Sequence, residues 1–171
     1  MLTLHTLAAV TVTLSGAAAG LMLSRELTSR GIFLRGMSHA AEQMKDEIAS
    51  LSTPLPELFE RMSRSGPAAP FFARVRERFL AHPTRDAEAV WAAEATEAVT
   101  GLFWDDAALP ALLRLGEGLG CYGLPEQVRR IGAAGEELRA AAERAEETAR
   151  RYGRLCRFGG FALGLSAALL L

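Results

Sequence analysis

The residues best spaced for chemistry are Gly118-Leu119-Gly120-Cys121-Tyr122-Gly123, a run with the glycine pattern of a dinucleotide-binding turn. In such a turn the glycines let backbone N–H groups approach a pyrophosphate at the N-terminus of the next helix, and a helical pattern does begin just after Gly123. That chemistry also needs a strand ahead of the glycines. Here Leu109 to Leu119 has helical spacing and the chain offers no set of alternating strands, so a helix C-cap followed by a tight turn accounts for the same glycines. His39 and His82 have no second His or Cys at ligand spacing. Cys121 and Cys156, 35 residues apart, match neither a zinc nor a redox motif and read as reduced and incidental. No Ser, His and Asp are placed to suggest nucleophilic catalysis. The expectation is a non-enzymatic protein with no catalytic, cofactor-binding or metal-binding residues and no small-molecule substrate.

The elements around these residues point to a different kind of work. Half of the 171 residues are hydrophobic and 23% are charged, with a mean hydropathy of +0.13, so apolar blocks sit beside a soluble part. β-Branched residues are scarce, and Ala, Leu, Glu and Arg dominate, which favours an all-α fold. A net charge of -1 gives no reason to expect nucleic acid. From Leu124 onward, Leu124, Val128, Ile131, Gly135, Leu138, Ala142, Ala145, Ala149, Tyr152 and Cys156 recur at four-three spacing, which predicts one buried face along a long helix. Between them lie charges such as Arg139/Glu143, Glu146/Arg150 and Glu147/Arg151, four apart on a solvated face. Charge stops at Arg157, and Phe158 to Leu171 carries none. At ~1.5 Å per residue the helix would reach roughly 70 Å, its first two thirds in water and its end in lipid.

Leu2 to Leu23 is a second apolar block, about 22 residues, long enough to cross a ~30 Å hydrocarbon layer. The rival reading is a signal peptide cleaved near Gly16-Ala17-Ala18-Ala19-Gly20, which would release a secreted helical binding domain. No Lys or Arg precedes Arg25, however, and a signal peptide has a basic start. Arg25, Arg30 and Arg35 follow the first block, and Arg150, Arg151, Arg154 and Arg157 precede the last, which places both termini outside and the middle in the cytoplasm. Phe158 to Leu171 spans only ~21 Å, so Arg157 must snorkel to let Leu155 and Cys156 add length, or the bilayer must thin. Gly160 and Gly164 are expected to approach Gly16 and Gly20. The expected organisation is a transmembrane anchor at 1–24, a cytoplasmic helical bundle at 25–154 and a C-terminal transmembrane helix at 155–171. The fold class is thus an all-α antiparallel helical bundle with N- and C-terminal transmembrane helices.

Within the bundle, Met37, Ala41, Met44, Ile48 and Leu51 form a seam expected to pack antiparallel against the 124–156 seam. Thr53 is the expected N-cap of a helix with Pro54 at its first position, ending near Ser65-Gly66. The next helix covers about Ala69 to Leu80, with Phe72, Val75 and Phe79 on one side and Arg74, Arg76 and Arg78 on a solvated face. Another runs from the cap Asp86 to about Leu102 with Trp91, Ala95, Ala98 and Leu102 inward. A last one lies between Asp105 and Leu119, where Pro110 begins it or kinks it.

Several stretches together resemble the stage III sporulation protein AB family of endospore-forming bacteria. They are the first apolar block, Glu47-Ile48 followed by Thr53-Pro54-Leu55-Pro56-Glu57, then Leu115-Gly116-Glu117-Gly118-Leu119-Gly120 with Gln127, and the long charged helix into an apolar C-terminus. The family usually has a polar, acidic turn where this chain has Cys121-Tyr122-Gly123. The resemblance implies a membrane-anchored component of the channel complex between mother cell and forespore, needed for endospore formation. It also implies likeness to the helical domains of the inner-membrane platform protein of type II secretion and type IV pilus systems. The implied partners are other stage III sporulation membrane proteins, a cytoplasmic secretion-type ATPase and the membrane, in the mother-cell membrane around the forespore.

Overall fold

The computed structural model describes the chain at residues 2–51, 53–81, 86–100, 107–117, 119 and 122–169, and within these ranges the side chains at 2–9, 12, 51, 157, 160–161, 163–165 and 167–169 lie outside the description. Among the described residues the fold is all helical: α1 Leu2–Leu51, α2 Leu55–Met62, α3 Ala69–Ala81, α4 Ala87–Ala98, α5 Ala108–Gly116 and α6 Leu124–Leu169. The chain divides into two compact units, one formed by Ile32–Glu143 and the other by Met1–Gly31 with Arg144–Leu171.

In the unit Ile32–Glu143 the predicted antiparallel pairing of the two long helices is present. Ser38 Oγ of α1 donates to the Gly135 carbonyl of α6 at 3.1 Å. A Cβ at Gly135 would lie 3.1 Å from Ala41 Cβ, and one at Gly132 would meet Lys45. Met37, Ala41 and Met44 are fully buried, as are Leu138 and Ala142 on the facing helix, so small residues on α6 admit the larger side chains of α1. The predicted face of α6 is shorter than its spacing suggests. Ile131, Leu138 and Ala142 are buried, but Leu124 is 43% exposed and Tyr152 48%. With Lys45 opposite Gly132, α1 ends about level with the first turn of α6, where Leu124 begins that helix. Tyr152, Ala145 and Ala149 belong to the other unit, where no helix besides α1 and α6 is described to cover them. On the wet face Arg139 pairs with Glu136 at 2.5 Å rather than with Glu143, while Glu147 and Arg151 pair as expected at 3.3 Å.

The short helices fill the rest of this unit. Pro54, not Thr53, is the N-cap of α2, and no side chain caps it. The Thr53 hydroxyl donates to Glu47 Oε2 at 3.1 Å, a carboxylate that Arg61 also holds at 2.8 Å, so this side chain is tied to α1 and makes no cap bond to α2. The turn after α2 needs Gly66, whose φ of 95° suits glycine. That turn lies on α1 at Gly36, where a Cβ would come 2.9 Å from Pro67 Cβ and 3.0 Å from the Ala68 backbone nitrogen. Asp86 caps α4 as predicted, accepting from Glu88 N–H at 3.4 Å. Pro110 sits in the first turn of α5, so it begins that helix rather than kinking it.

The unit of Met1–Gly31 with Arg144–Leu171 is an antiparallel helix pair as well. Glu146 lies over Gly31, its Cγ 2.9 Å from where a Cβ would stand, and a Cβ at Gly153 would lie 3.3 Å from Ser24 Oγ. Leu27 is buried in this pair and Arg30, 4% exposed, reaches Glu26 at 3.0 Å. Val10, Leu14, Met22, Leu155 and Phe158 are more than half exposed. Among the described residues no helix is long and apolar enough to cross a membrane. Much of the two expected membrane blocks, including Gly160 and Gly164 of the expected glycine contact, lies outside the described side chains; Gly16 is half-buried and Gly20 buried.

Candidate functional site

Among the described residues of the unit Ile32–Glu143, aromatic and charged groups gather where α2, α3 and α4 pack in sequence and α5 packs on α4. The centre is Trp91, fully buried, with the rings of Phe71, Phe72 and Phe59 at 4.9, 5.7 and 6.2 Å between centroids. The edge-to-face approach of Phe71 and Phe72 suits the ring quadrupoles, while Phe59 lies tilted at 35°. The one polar atom of the indole is satisfied: Nε1–H donates to the Leu112 carbonyl of α5 at 2.7 Å. The indole lies so close to α5 that a Cβ at Gly116 would fall 2.0 Å from Trp91 Cδ1. An aromatic ring thus occupies the place that a side chain at Gly116 would take.

One turn along α4 from Trp91 stands Glu94, with no exposed surface. Arg74 Nε donates to its Oε2 at 3.0 Å, and Arg78 Nε lies 2.5 Å from Oε1 as an ion pair without hydrogen-bond alignment. Arg78 also reaches Glu97 at 2.6 Å. Arg74 and Arg78 are four apart on α3, and Glu94 and Glu97 three apart on α4, so each pair shares a face and the two faces oppose one another. The expected solvated face of α3 is half exposed, but it is not idle: Arg76 reaches Glu60 at 3.5 Å, and the head groups of Arg74 and Arg78 close on the buried Glu94 carboxylate. Burying that charge is tolerable only because both oxygens meet guanidinium groups. Glu94 thus ties α4 to α3 through its two arginine contacts. Sequence reading missed it because the 74/78 and 94/97 spacings acquire meaning only once the two helices are known to lie side by side.

The glycine turn ahead of α6 is described at Leu119, Tyr122 and Gly123; Gly118, Gly120 and Cys121 lie outside the described residues. Leu119 is buried, and its N–H donates to the Gly116 carbonyl at 3.3 Å. Arg130 lays its guanidinium over the Tyr122 ring at 4.2 Å and is 3.4 Å from Glu117. Glu126, in the first turn of α6, accepts from Arg129 at 2.7 Å and from Arg130 at 2.7 Å. These hydrogen bonds, that of Arg129 first, hold its carboxyl down at about 2. The positive end of α6 is thus already met by a fixed carboxylate, and a pyrophosphate arriving there would face like charge. His39 is exposed and His82 lies outside the described residues. Among the described residues no three His, Cys, Asp or Glu side chains gather as metal ligands, and Cys156 is a free thiol.

Fold and polar network together define an all-helical bundle whose buried charges hold helices to one another. A family model for stage III sporulation protein AB matches residues 5–171, nearly the whole chain, and the chain belongs to that family. The resemblance carried by Thr53 to Glu57 and Leu115 to Gly120 is borne out by this match. No curated protein matches the chain, and no solved structure does.

Proposed function

We propose that this stage III sporulation protein works without catalysis, as a membrane-anchored scaffold in the complex between mother cell and forespore. In this reading the unit Ile32–Glu143 faces the mother-cell cytoplasm and meets a secretion-type ATPase there, together with other stage III membrane subunits. The observation that carries the proposal is the family match across residues 5–171. Two features support it. The buried Glu94 and the low-titrating Glu126 are both engaged by arginines, which suits a part whose polar groups hold surfaces in place. The uncharged runs Leu2 to Leu23 and Phe158 to Leu171, with Leu14, Met22 and Phe158 exposed within them and Leu155 just outside, suit an anchor. The ATPase partner rests on analogy with secretion platforms.

The test is made in sporulating cells. With Cys121 and Cys156 replaced by Ser, a cysteine at the exposed position Ala73 should resist an impermeant thiol reagent until lysis, and a photocrosslinker on the same helix should capture the ATPase. Labelling of intact cells, together with an intact mass showing cleavage near Ala19, would favour the secreted binding domain instead.

A further inference from the structure

The charges of the chain are segregated. Met1–Gly31 with Arg144–Leu171 carries seven arginines and three glutamates, a net +4, within a chain whose net charge is -1. The three glutamates are engaged or turned inward: Glu26 pairs with Arg30, Glu147 with Arg151, and Glu146 lies over Gly31. Exposed arginines elsewhere find carboxylates, as Arg64 does at Glu60 and Arg129 at Glu126. Arg25, Arg150 and Arg154 are exposed and reach no carboxylate among the described residues.

The helix register brings these three to one level. Ser24 stands opposite Gly153, and Gly31 opposite Glu146, so Arg25 and Arg154 lie one residue to either side of the Ser24 level and Arg150 three residues along. At ~1.5 Å per residue the three fall within about 6 Å along the axis. Among the described side chains, large apolar ones stand exposed immediately beyond them: Leu21 at 47%, Met22 at 70%, Leu155 at 63% and Phe158 at 73%. A band of unpaired guanidinium groups bordered by exposed hydrocarbon matches one surface, the phosphate layer of an anionic bilayer over its acyl chains.

We propose that Arg25, Arg150 and Arg154 form a collar that binds the phosphates of anionic phospholipids and sets the depth at which the helix pair sits. This rests on the membrane-anchor reading and adds to it a lipid class and named residues. The full chain is reconstituted with phosphatidylcholine vesicles and with vesicles containing phosphatidylglycerol, and flotation is followed by the relative association of spin-labelled lipids. The wild type should float with both and hold phosphatidylglycerol over phosphatidylcholine by about threefold or more at low salt, with the ratio approaching one in about 1 M NaCl. Arg25→Gln/Arg150→Gln/Arg154→Gln should still float but lose the preference, while Arg64→Gln/Arg129→Gln should keep it. Floating without preference in the wild type, or an undiminished preference in the triple variant, overturns the collar and leaves the anchor standing. Failure to float with either vesicle overturns both.

Discussion

Replacing Gly116 by Ala adds one methyl group at the tightest point of the structure. That carbon would stand 2.0 Å from Trp91 Cδ1, 2.2 Å from Cγ and 2.6 Å from Nε1, where carbon atoms normally rest about 3.5–4.0 Å apart. The indole must retreat by well over 1 Å on that comparison, and Phe59, Phe71 and Phe72 stand around it. Overpacking of this kind costs about 1–3 kcal/mol. If the ring moves, the buried Trp91 to Leu112 hydrogen bond is lost as well, at about 1–3 kcal/mol. Alanine's advantage over glycine in a helix returns at most ~1 kcal/mol. The net is a destabilisation of about 1–6 kcal/mol. Urea unfolding of the detergent-solubilised chain, followed by near-UV circular dichroism, measures it, and exchange of the Trp91 indole N–H should quicken in the variant. Gly123→Ala serves as control, since nothing lies within 4 Å of its added carbon; it should change stability by under ~0.5 kcal/mol. A Gly116→Ala variant as stable as the parent would refute the account of this glycine.

Leu138→Asp places a carboxylate at a fully buried position between the long helices and should cost several kcal/mol, on the order of 4, whereas Glu143→Gln, on the exposed face, should cost under ~0.5; equal shifts in melting would sink the pairing of α1 with α6. The Glu126 carboxyl, held at about 2 against an ordinary 4.5, should titrate near 2 in a carbon-13 NMR series and rise in Arg129→Gln. Because its folded value lies below its unfolded one, this carboxylate favours the folded chain above about pH 4.5 and the contribution disappears as pH falls toward 2. A midpoint unaffected by Arg129→Gln would show that the hydrogen bond is not the cause.

Much of the helical order was legible where a single residue carries local chemistry. Asp86 announces α4, Pro110 opens α5 and Gly66 closes the turn after α2, each through its own backbone or side-chain preference. Spacing also paired Met37, Ala41 and Met44 with Leu138 and Ala142, since both runs repeat at the same interval. Thr53 misled because a cap preference is worth only about 1 kcal/mol, and a carboxylate on another helix, Glu47, holds its hydroxyl elsewhere. Periodicity continued the buried face of α6 to Leu124 and Tyr152, for it reports which residues share a side and not how far the neighbouring helices extend. Arg74 and Arg78 looked like surface for the same reason: their partner Glu94 is 20 and 16 residues away, and nothing local distinguishes a guanidinium in water from one over a buried carboxylate.

The contacts between α1 and α6 at Ser24 with Gly153 and at Gly31 with Glu146 are separated by seven residues on each helix. A single inserted residue on either helix would turn everything beyond it by about 100° and slide it ~1.5 Å, carrying Gly31 or Gly153 out from beneath its neighbour. Paired insertions or deletions that come close to whole turns, about seven or about eleven residues in each helix, bring both contacts back to within about 20°. The length of this helix pair is in effect quantised, so natural or engineered variants that lengthen it should do so in such steps on both helices at once.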